Sequence, residues 1–417
     1  MTRQPTRRLT RGLAAAAALS AVLGLTACGN GGGFADESPA ADAGDSTDTT
    51  LSVLIGSSGD AETASVQAAI DAWSAATGHS AELKVATDLN QQLAQGFAAK
   101  TPPDVFYVST ESFPGWAENG SLWAYGDQLD AEFYPGLVDS FTFDGQFFAA
   151  PKDFSTLALI INDDAWQAAG LTDADYPTTW QELADVAETL TTDGQVGLSF
   201  GPEWARIGAF MAQAGGGLLD ADGNAAVDSD ANLQALEFVK QMLADGVAAF
   251  PSAIGAGWGG EAFGSGGAAM TIEGNWISGA LSADFPDVNW TAVELPQGPG
   301  GDRGTLQFTN AWGIANDSQN KDVALSFVEF MVSDAQQMQF AKDFGVMPSV
   351  TSVADEWAAE FPEMGAFIRG GEYAQGVPPL QGIGSVLSDF NAQLEGLSTG
   401  DPASILSSVQ STLSALQ

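Results

Sequence analysis

Cys28 and His79 are the single cysteine and the single histidine of the 417-residue chain, which removes most nucleophilic and metal chemistry at once. A lone cysteine has no partner for an internal disulfide and makes no metal cage. One histidine, placed just after Gly78 at the end of a predicted helix and expected at the surface, supports neither a Ser-His-Asp triad nor a histidine metal site. No Gly-x-x-x-x-Gly-Lys loop is present, and the glycine-rich run 255–267 lacks the strand-to-helix context of a dinucleotide fingerprint. No cofactor is indicated. The chemistry-bearing residues that remain are acids and indoles: 53 Asp and Glu against 13 Lys and Arg, a formal net charge of -40, and 11 tryptophans. Phosphate binding needs a basic surface, so nucleic acid is excluded as a partner. Strongly anionic ligands are disfavoured too, because beyond the N-terminal arginines only Arg206, Arg303, Arg369 and six lysines remain. Few cations and many tryptophans point to a neutral ligand with flat apolar faces. A glycoside hydrolase would need two carboxylates facing each other across a bond, and with so many acids composition alone does not separate that alternative.

The N-terminus carries its own signal. Arg3, Arg7, Arg8 and Arg11 precede an apolar run from Leu13 to Leu25, the size of a secretory h-region and too short to span a bilayer. The run ends in Leu25-Thr26-Ala27-Cys28, which resembles the lipobox of bacterial lipoproteins. That resemblance implies a signal peptide over 1–27, cleavage before Cys28, acylation of Cys28, and tethering to the outer face of the cytoplasmic membrane. The paired Arg7-Arg8 leaves Sec and twin-arginine export both open. Residues 28–50 are rich in Gly, Ser, Asp and Thr and nearly free of large apolar side chains, and read as an acidic, disordered tether. The remainder of the chain, roughly 370 residues, is long enough for two domains.

Strands and helices then alternate. Apolar runs at 51–55, 103–108, 157–161, 196–200, 268–272 and 291–295 predict strands. Val66, Ala69, Ile70 and Trp73 predict a helix stopped at Gly78, and Thr179 with Glu182 forms a capping box ahead of another. A helix closed by Gly246, a long helix within 323–344 and a final amphipathic helix around 405–413 complete the pattern, which argues for α/β domains with largely parallel sheets.

Four segments in order carry a family resemblance: Pro103-Asp-Val-Phe-Tyr-Val108 with Trp116-Ala-Glu-Asn-Gly-Ser-Leu122; Gly145-Gln-Phe-Phe-Ala-Ala-Pro151 with Leu157–Asn162 and Pro177-Thr-Thr-Trp180; Ala262–Met270 with Gly274-Asn-Trp276; and Trp312-Gly-Ile-Ala315, leading toward Met347-Pro348. Together they cover about 51–417. The chain is thus similar to the family 1 extracellular solute-binding proteins of ABC importers, sugar-binding lipoproteins akin to the maltose-binding protein. The resemblance implies a two-lobed, type II periplasmic-binding-protein-like α/β fold with an interlobe cleft. Its first lobe would hold 51–154 plus 311–374 and its second 155–310 plus 375–417, the chain crossing near 154, 311 and 374. It also implies a monomeric, non-enzymatic receptor that captures a neutral mono- or oligosaccharide by hinge closure and delivers it to permease subunits. A non-transport glycan-capturing lipoprotein has the same sequence features.

Within that frame the ligand residues can be named. A pyranose presents apolar C–H faces and hydroxyl edges, so its site needs aromatic plates and planar acids or amides. Trp276 stands where the family places a stacking aromatic. Glu111 follows a strand's C-terminal end, where open α/β sheets bind ligands. Asp153 lies in the first crossover, where a carboxylate can hold vicinal hydroxyls or pair with Lys152. Trp204 and Arg206 follow the strand at 196–200, Trp258 sits in the cleft-facing glycine-rich stretch, and Asn310 lies at the second crossover, beside a hinge-packing Trp312. Ser57 and Asp60 sit in the first loop, where such residues also cap helices. The stretch Val377-Pro-Pro-Leu-Gln-Gly-Ile-Gly384 lacks the aromatic typical of maltose binders, which points away from maltose itself.

Overall fold

Leu51, Val53, Leu54 and Ile55 are buried together at the start of the folded chain. The computed structural model describes residues 49–57 and 59–417; the signal segment, Cys28 and the tether as far as residue 48 lie outside them. Twelve strands are present among the described residues: β1 (Thr50–Ile55), β2 (Ser80–Val85), β3 (Val105–Ser109), β4 (Thr142–Phe143), β5 (Gln146–Phe147), β6 (Ala150–Asn162), β7 (Val196–Ser199), β8 (Ala248–Ala249), β9 (Ala268–Gly274), β10 (Trp290–Val293), β11 (Thr305–Ile314) and β12 (Ala374–Gln375). Eight of them run in the order β2-β1-β3-β11-β6-β9-β7-β8, with β12 added beside β11 and β10 beside β6.

The ends of this sheet are parallel, as the alternation predicts: β1 lies parallel to β2 and β3, and β7 to β8 and β9. Its centre is antiparallel, which corrects the expectation of a largely parallel sheet. Strands β3, β11, β6 and β9 alternate in direction. The strand expected at 157–161 is the middle of the 13-residue β6. Its first half pairs with β11 and its second half with β9 and β10, so one strand runs through the whole middle of the structure.

Two hydrophobic cores flank it, and neither follows a continuous stretch of sequence. One joins Leu51, Trp73 and Phe106 to Trp312, Phe327 and Phe367; the other joins Leu159 and Leu198 to Val239, Phe390 and Leu406. Along the second half of β6 the faces alternate, Leu157, Leu159 and Ile161 entering the second core and Ala158 and Ile160 the first.

The helix signals hold where their local chemistry is strong. Val66, Ala69, Ile70 and Trp73 form the buried stripe of the helix Asp60–Thr77, which stops at Gly78 with φ 81°, a left-handed conformation that costs glycine little. Thr179 and Glu182 cap the helix Trp180–Leu190 reciprocally. The long helix expected within 323–344 is instead two, Lys321–Met331 and Asp334–Phe344. Between them Ser333 is extended, and its hydroxyl donates to the Phe330 carbonyl at 2.7 Å, ending the first helix. His79, expected at the surface, is half-buried against Trp73, with ring centroids 6.0 Å apart.

Asp104 ties the first strands to the return segment. Its carboxylate accepts from the Ser52 amide (2.9 Å) and hydroxyl (2.8 Å), the Ser318 hydroxyl (2.6 Å) and the Asn320 amide (3.2 Å). Partial burial pushes its pKa up, but these donors outweigh burial and hold it below the usual value. A depressed pKa adds stability that is present above the unfolded carboxylate's value near 4 and lost as pH falls through the folded one. Urea unfolding at pH 6 and pH 3 should therefore show a smaller acid-induced loss in Asp104→Asn than in the parent protein.

Candidate functional site

The antiparallel centre of the sheet opens into a cavity of about 680 Å³. Strand β3 ends at Ser109, and the chain turns there to present Thr110 and Glu111 at the cavity wall. Strands β6 and β11 contribute Asp153, Phe154 and Ser155 from one side and Gln307–Asn310 from the other. Asp153 and Asn310 are direct neighbours across the ladder, at a bulge between Asn310 and Ala311 that shifts the register. Bulges re-aim side chains, and this one lies where both strands border the cavity.

Asp153 is also part of a buried ion network. Lys152 Nζ bonds to Asp153 Oδ2 and lies 3.0 Å from Glu62 Oε1, which also accepts from the Tyr107 hydroxyl at 3.0 Å. The Lys152 ammonium sits 4.7 Å from the centre of the Tyr107 ring. Burial raises the Asp153 pKa; Lys152 opposes this, while Glu62 adds to it. Burial would lower Lys152, but the two carboxylates outweigh it and hold the ammonium above its usual value. Asp153 thus serves an ion pair and a cavity wall together.

Trp276 is the exposed aromatic of the cavity wall, 38% accessible. It opens the helix Trp276–Asp284, and its position is fixed from several directions. The indole Nε1 donates to Glu273 Oε2 at 3.1 Å, which also takes Arg206 Nη2 at 2.6 Å. The Arg206 guanidinium lies 5.4 Å from the indole centre, and Phe308 meets it edge-on at 5.5 Å. Burial raises the Glu273 pKa, opposed by Arg206 and by the indole N–H. The indole is thus held by contacts from several sides while the residue stays 38% accessible. Gly274 permits this packing: a Cβ there would come within 2.2 Å of the ring. Gly274→Ala should displace the indole and weaken ligand binding at least about tenfold, a loss of roughly 1.4 kcal/mol. Titration calorimetry beside a melting curve separates that loss from unfolding.

The sequence profile of the bacterial extracellular solute-binding proteins matches residues 56–338, well over half of the chain. The chain belongs to that family. Among curated relatives of this solute-binding protein is the diacetylchitobiose binding protein DasA of Streptomyces coelicolor, 24% identical over 317 residues, covering 73% of this chain and 71% of the relative. Among solved structures, the cyclic alpha-maltosyl-1,6-maltose binding protein of Arthrobacter globiformis superposes with a TM-score of 0.79 at 21% identity, over 88% of this chain and 98% of that one. UgpB of Mycobacterium tuberculosis, solved with glycerophosphocholine, has a TM-score of 0.74 at 19% identity, over 88% and 98%. These structures share the two-lobed solute-binding fold.

Five of the nine sequence-derived ligand residues of this solute-binding protein line the main cavity: Glu111, Asp153, Trp204, Trp276 and Asn310. Trp204 is nearly buried and its backbone N–H donates to Asn391 Oδ1 at 2.8 Å, so it forms wall rather than plate. Arg206 and Trp258 border a separate cavity of about 420 Å³, together with Glu203, Glu273 and Glu395. Arg206 reaches the main site only through Glu273 and the Trp276 ring. Ser57 and Asp60 line neither cavity. The Ser57 hydroxyl donates to the Gly59 carbonyl at 2.7 Å and accepts from Thr63 Oγ1, closing a local turn, and Asp60 is an exposed acid in the first helical turn, where the helix dipole favours it. Trp312 is fully buried, edge-on to Tyr107 at 4.7 Å. The cavity also contains Gln307, Phe308, Thr309, Phe344 and Asn391, which the sequence reading missed. The polar alternation Gln307-Phe308-Thr309-Asn310 was the available signal for four of its wall positions.

Proposed function

We propose that this solute-binding protein captures a neutral mono- or oligosaccharide in the main cavity and delivers it to the membrane subunits of an ABC permease. The observation that carries the reading is the partly exposed, hydrogen-bonded Trp276 in a cavity whose walls hold carboxylates and amides but neither lysine nor arginine. The indole offers a face to the C–H side of a pyranose. Glu111, Asp153, Asn310, Gln307 and Asn391 offer acceptors and donors to its hydroxyl edge. Saccharide-binding relatives support this reading. The neighbour solved with glycerophosphocholine means that the fold alone does not choose the ligand, and a wall without cations disfavours a phosphate-bearing one.

The lobes we propose are 51–154 plus 311–374 and 155–310 plus 375–417, hinged where β6 and β11 run side by side. A ligand touching both lobes favours the closed state by the contacts it gains there. Acylation of Cys28 would hold this monomer at the outer face of the membrane, with 28–50 as tether. The test is calorimetry of the protein without its tether against glucose, maltose, maltotriose, cellobiose and diacetylchitobiose, with glucose 6-phosphate, glycerophosphocholine and spermidine as charged controls. Saturable binding of an intact neutral sugar is the expected result; cleavage of the sugar, or binding confined to the charged controls, would overturn the reading.

A further inference from the structure

Glu273 is the next-to-last residue of β9 and only 1% exposed. It borders the second cavity and is absent from the wall of the main one, so it lies beside the ligand site rather than in it. One of its oxygens, Oε2, accepts both from Arg206 Nη2 and from the Trp276 indole N–H. The other, Oε1, is covered by Gly259, where a Cβ would come within 2.7 Å of it. The remaining charged groups around it are Glu203 and Glu395 in the same cavity, and Glu261 on the helix Gly259–Gly264 packed over β9, which accepts from the Gly257 amide at 2.7 Å.

We infer that Glu273 is a positioning residue of the ligand site: its ionised carboxylate, held by Arg206, sets the orientation of the Trp276 ring without touching the ligand. The inference rests on the reading of Trp276 as a ring that contacts a saccharide. Three observations carry it. An indole has a single N–H donor, and Glu273 takes it, so this bond gives the ring a direction that the contacts of Phe308 and the guanidinium do not. The Arg206–Glu273 pair is end-on: Nη2 makes the bond, while Nε is buried with no partner among the described residues. A pair built for strength alone gains from a second parallel bond. Here the guanidinium lies 5.4 Å from the indole centre instead, so one cation restrains the carboxylate and the ring together. Finally, stability alone does not call for a buried ion pair at this place, because apolar side chains of similar volume often serve as well or better. The charge is what strengthens the bond to the indole. Burial raises the Glu273 pKa and Glu203 adds to the rise, against Arg206 and the indole N–H. The positioning bond is therefore at full strength above that raised value and weakens as pH falls through it.

The test is a double-mutant cycle of Glu273→Gln and Trp276→Phe, read by calorimetry at pH 7.5 and pH 4.5 with glucose, maltose, maltotriose, cellobiose and diacetylchitobiose. At pH 7.5 Glu273→Gln should weaken binding of the preferred sugar about fivefold, and at pH 4.5 that deficit should narrow to about twofold. Acids of the main cavity wall titrate in both proteins and cancel in the comparison. In the Trp276→Phe background, where the ring has no N–H, the same substitution should change affinity by less than about twofold at either pH. A second reading needs no ligand. The indole N–H resonance of Trp276, identified as the one missing from Trp276→Phe, should shift between the two pH values in the parent and much less in Glu273→Gln. Arg206→Gln leaves the carboxylate in place and covers the case in which Glu273→Gln does not fold: without the cation, affinity should begin to fall at a higher pH than in the parent. Equal losses in the two backgrounds, a deficit that pH does not change, or an indole resonance as pH-sensitive in Glu273→Gln as in the parent would overturn the positioning role and leave the saccharide reading intact. Binding of none of the sugars by the parent would overturn the saccharide reading, and the indole resonance would then decide the role of Glu273 by itself.

Discussion

Replacing Lys152 with methionine should destabilise the protein by about 3–5 kcal/mol, the range for breaking a buried ion pair from one side. Lys152 Nζ bonds to Asp153 and lies 3.0 Å from Glu62, with side chains 9%, 13% and 3% exposed. Methionine keeps most of the volume, so packing changes little and the cost comes from removing the cation between two buried carboxylates. The pH dependence identifies the cause. In the parent, the raised Lys152 pKa means that its contribution is fully present below the ordinary lysine value and is lost only as pH rises through the folded one. In the variant the two carboxylates repel each other, and protonation relieves them. The deficit relative to the parent should therefore shrink as pH is lowered through the carboxylate range. Denaturant unfolding at pH 7.5 and pH 4.5 measures it; a deficit independent of pH would show that lost packing, not charge, is responsible. The same variant should impair binding, because Lys152 orients an acid of the cavity wall.

The second large effect is on the ligand alone. Trp276→Ala should weaken binding at least about tenfold, since removing an aromatic face costs roughly 1–3 kcal/mol. Stability should change little: the residue is 38% exposed and stands at the start of its helix. Arg206 and Glu273 would still pair at 2.6 Å in its absence. An unchanged dissociation constant would remove Trp276 from the ligand site, and a large drop in melting temperature would make it a core residue.

The places of Trp276 and Glu111 on the cavity wall were legible because their signals are local: an indole directly after Gly274-Asn275, and an acid just past a buried strand. The capping box at Thr179 and the glycine stop at Gly78 were legible for the same reason. Strand β11 was not. Its Gln307, Thr309 and Asn310 line the cavity and interrupt the apolar pattern, so the residues that bring the strand to the cavity hide it from a hydrophobicity reading. Strand β2 was missed for a different reason: it lies at the sheet edge, where Glu82 and Lys84 suit a solvent-facing position. The partnership of Lys152 with Glu62 spans 90 residues, and no spacing rule reaches that far. Ser57 and Asp60 illustrate the converse ambiguity. Their side chains suit a sugar hydroxyl and a helix cap equally, and only the geometry of the turn distinguishes the two.

The most direct test of the central claim is a crystal structure with the tightest-binding neutral sugar of the panel. The expected result is a pyranose ring stacked on the open face of Trp276, with its hydroxyls on Glu111 and Asp153 and with contacts from both lobes. A sugar bound without touching Trp276, or held by one lobe only, would contradict it.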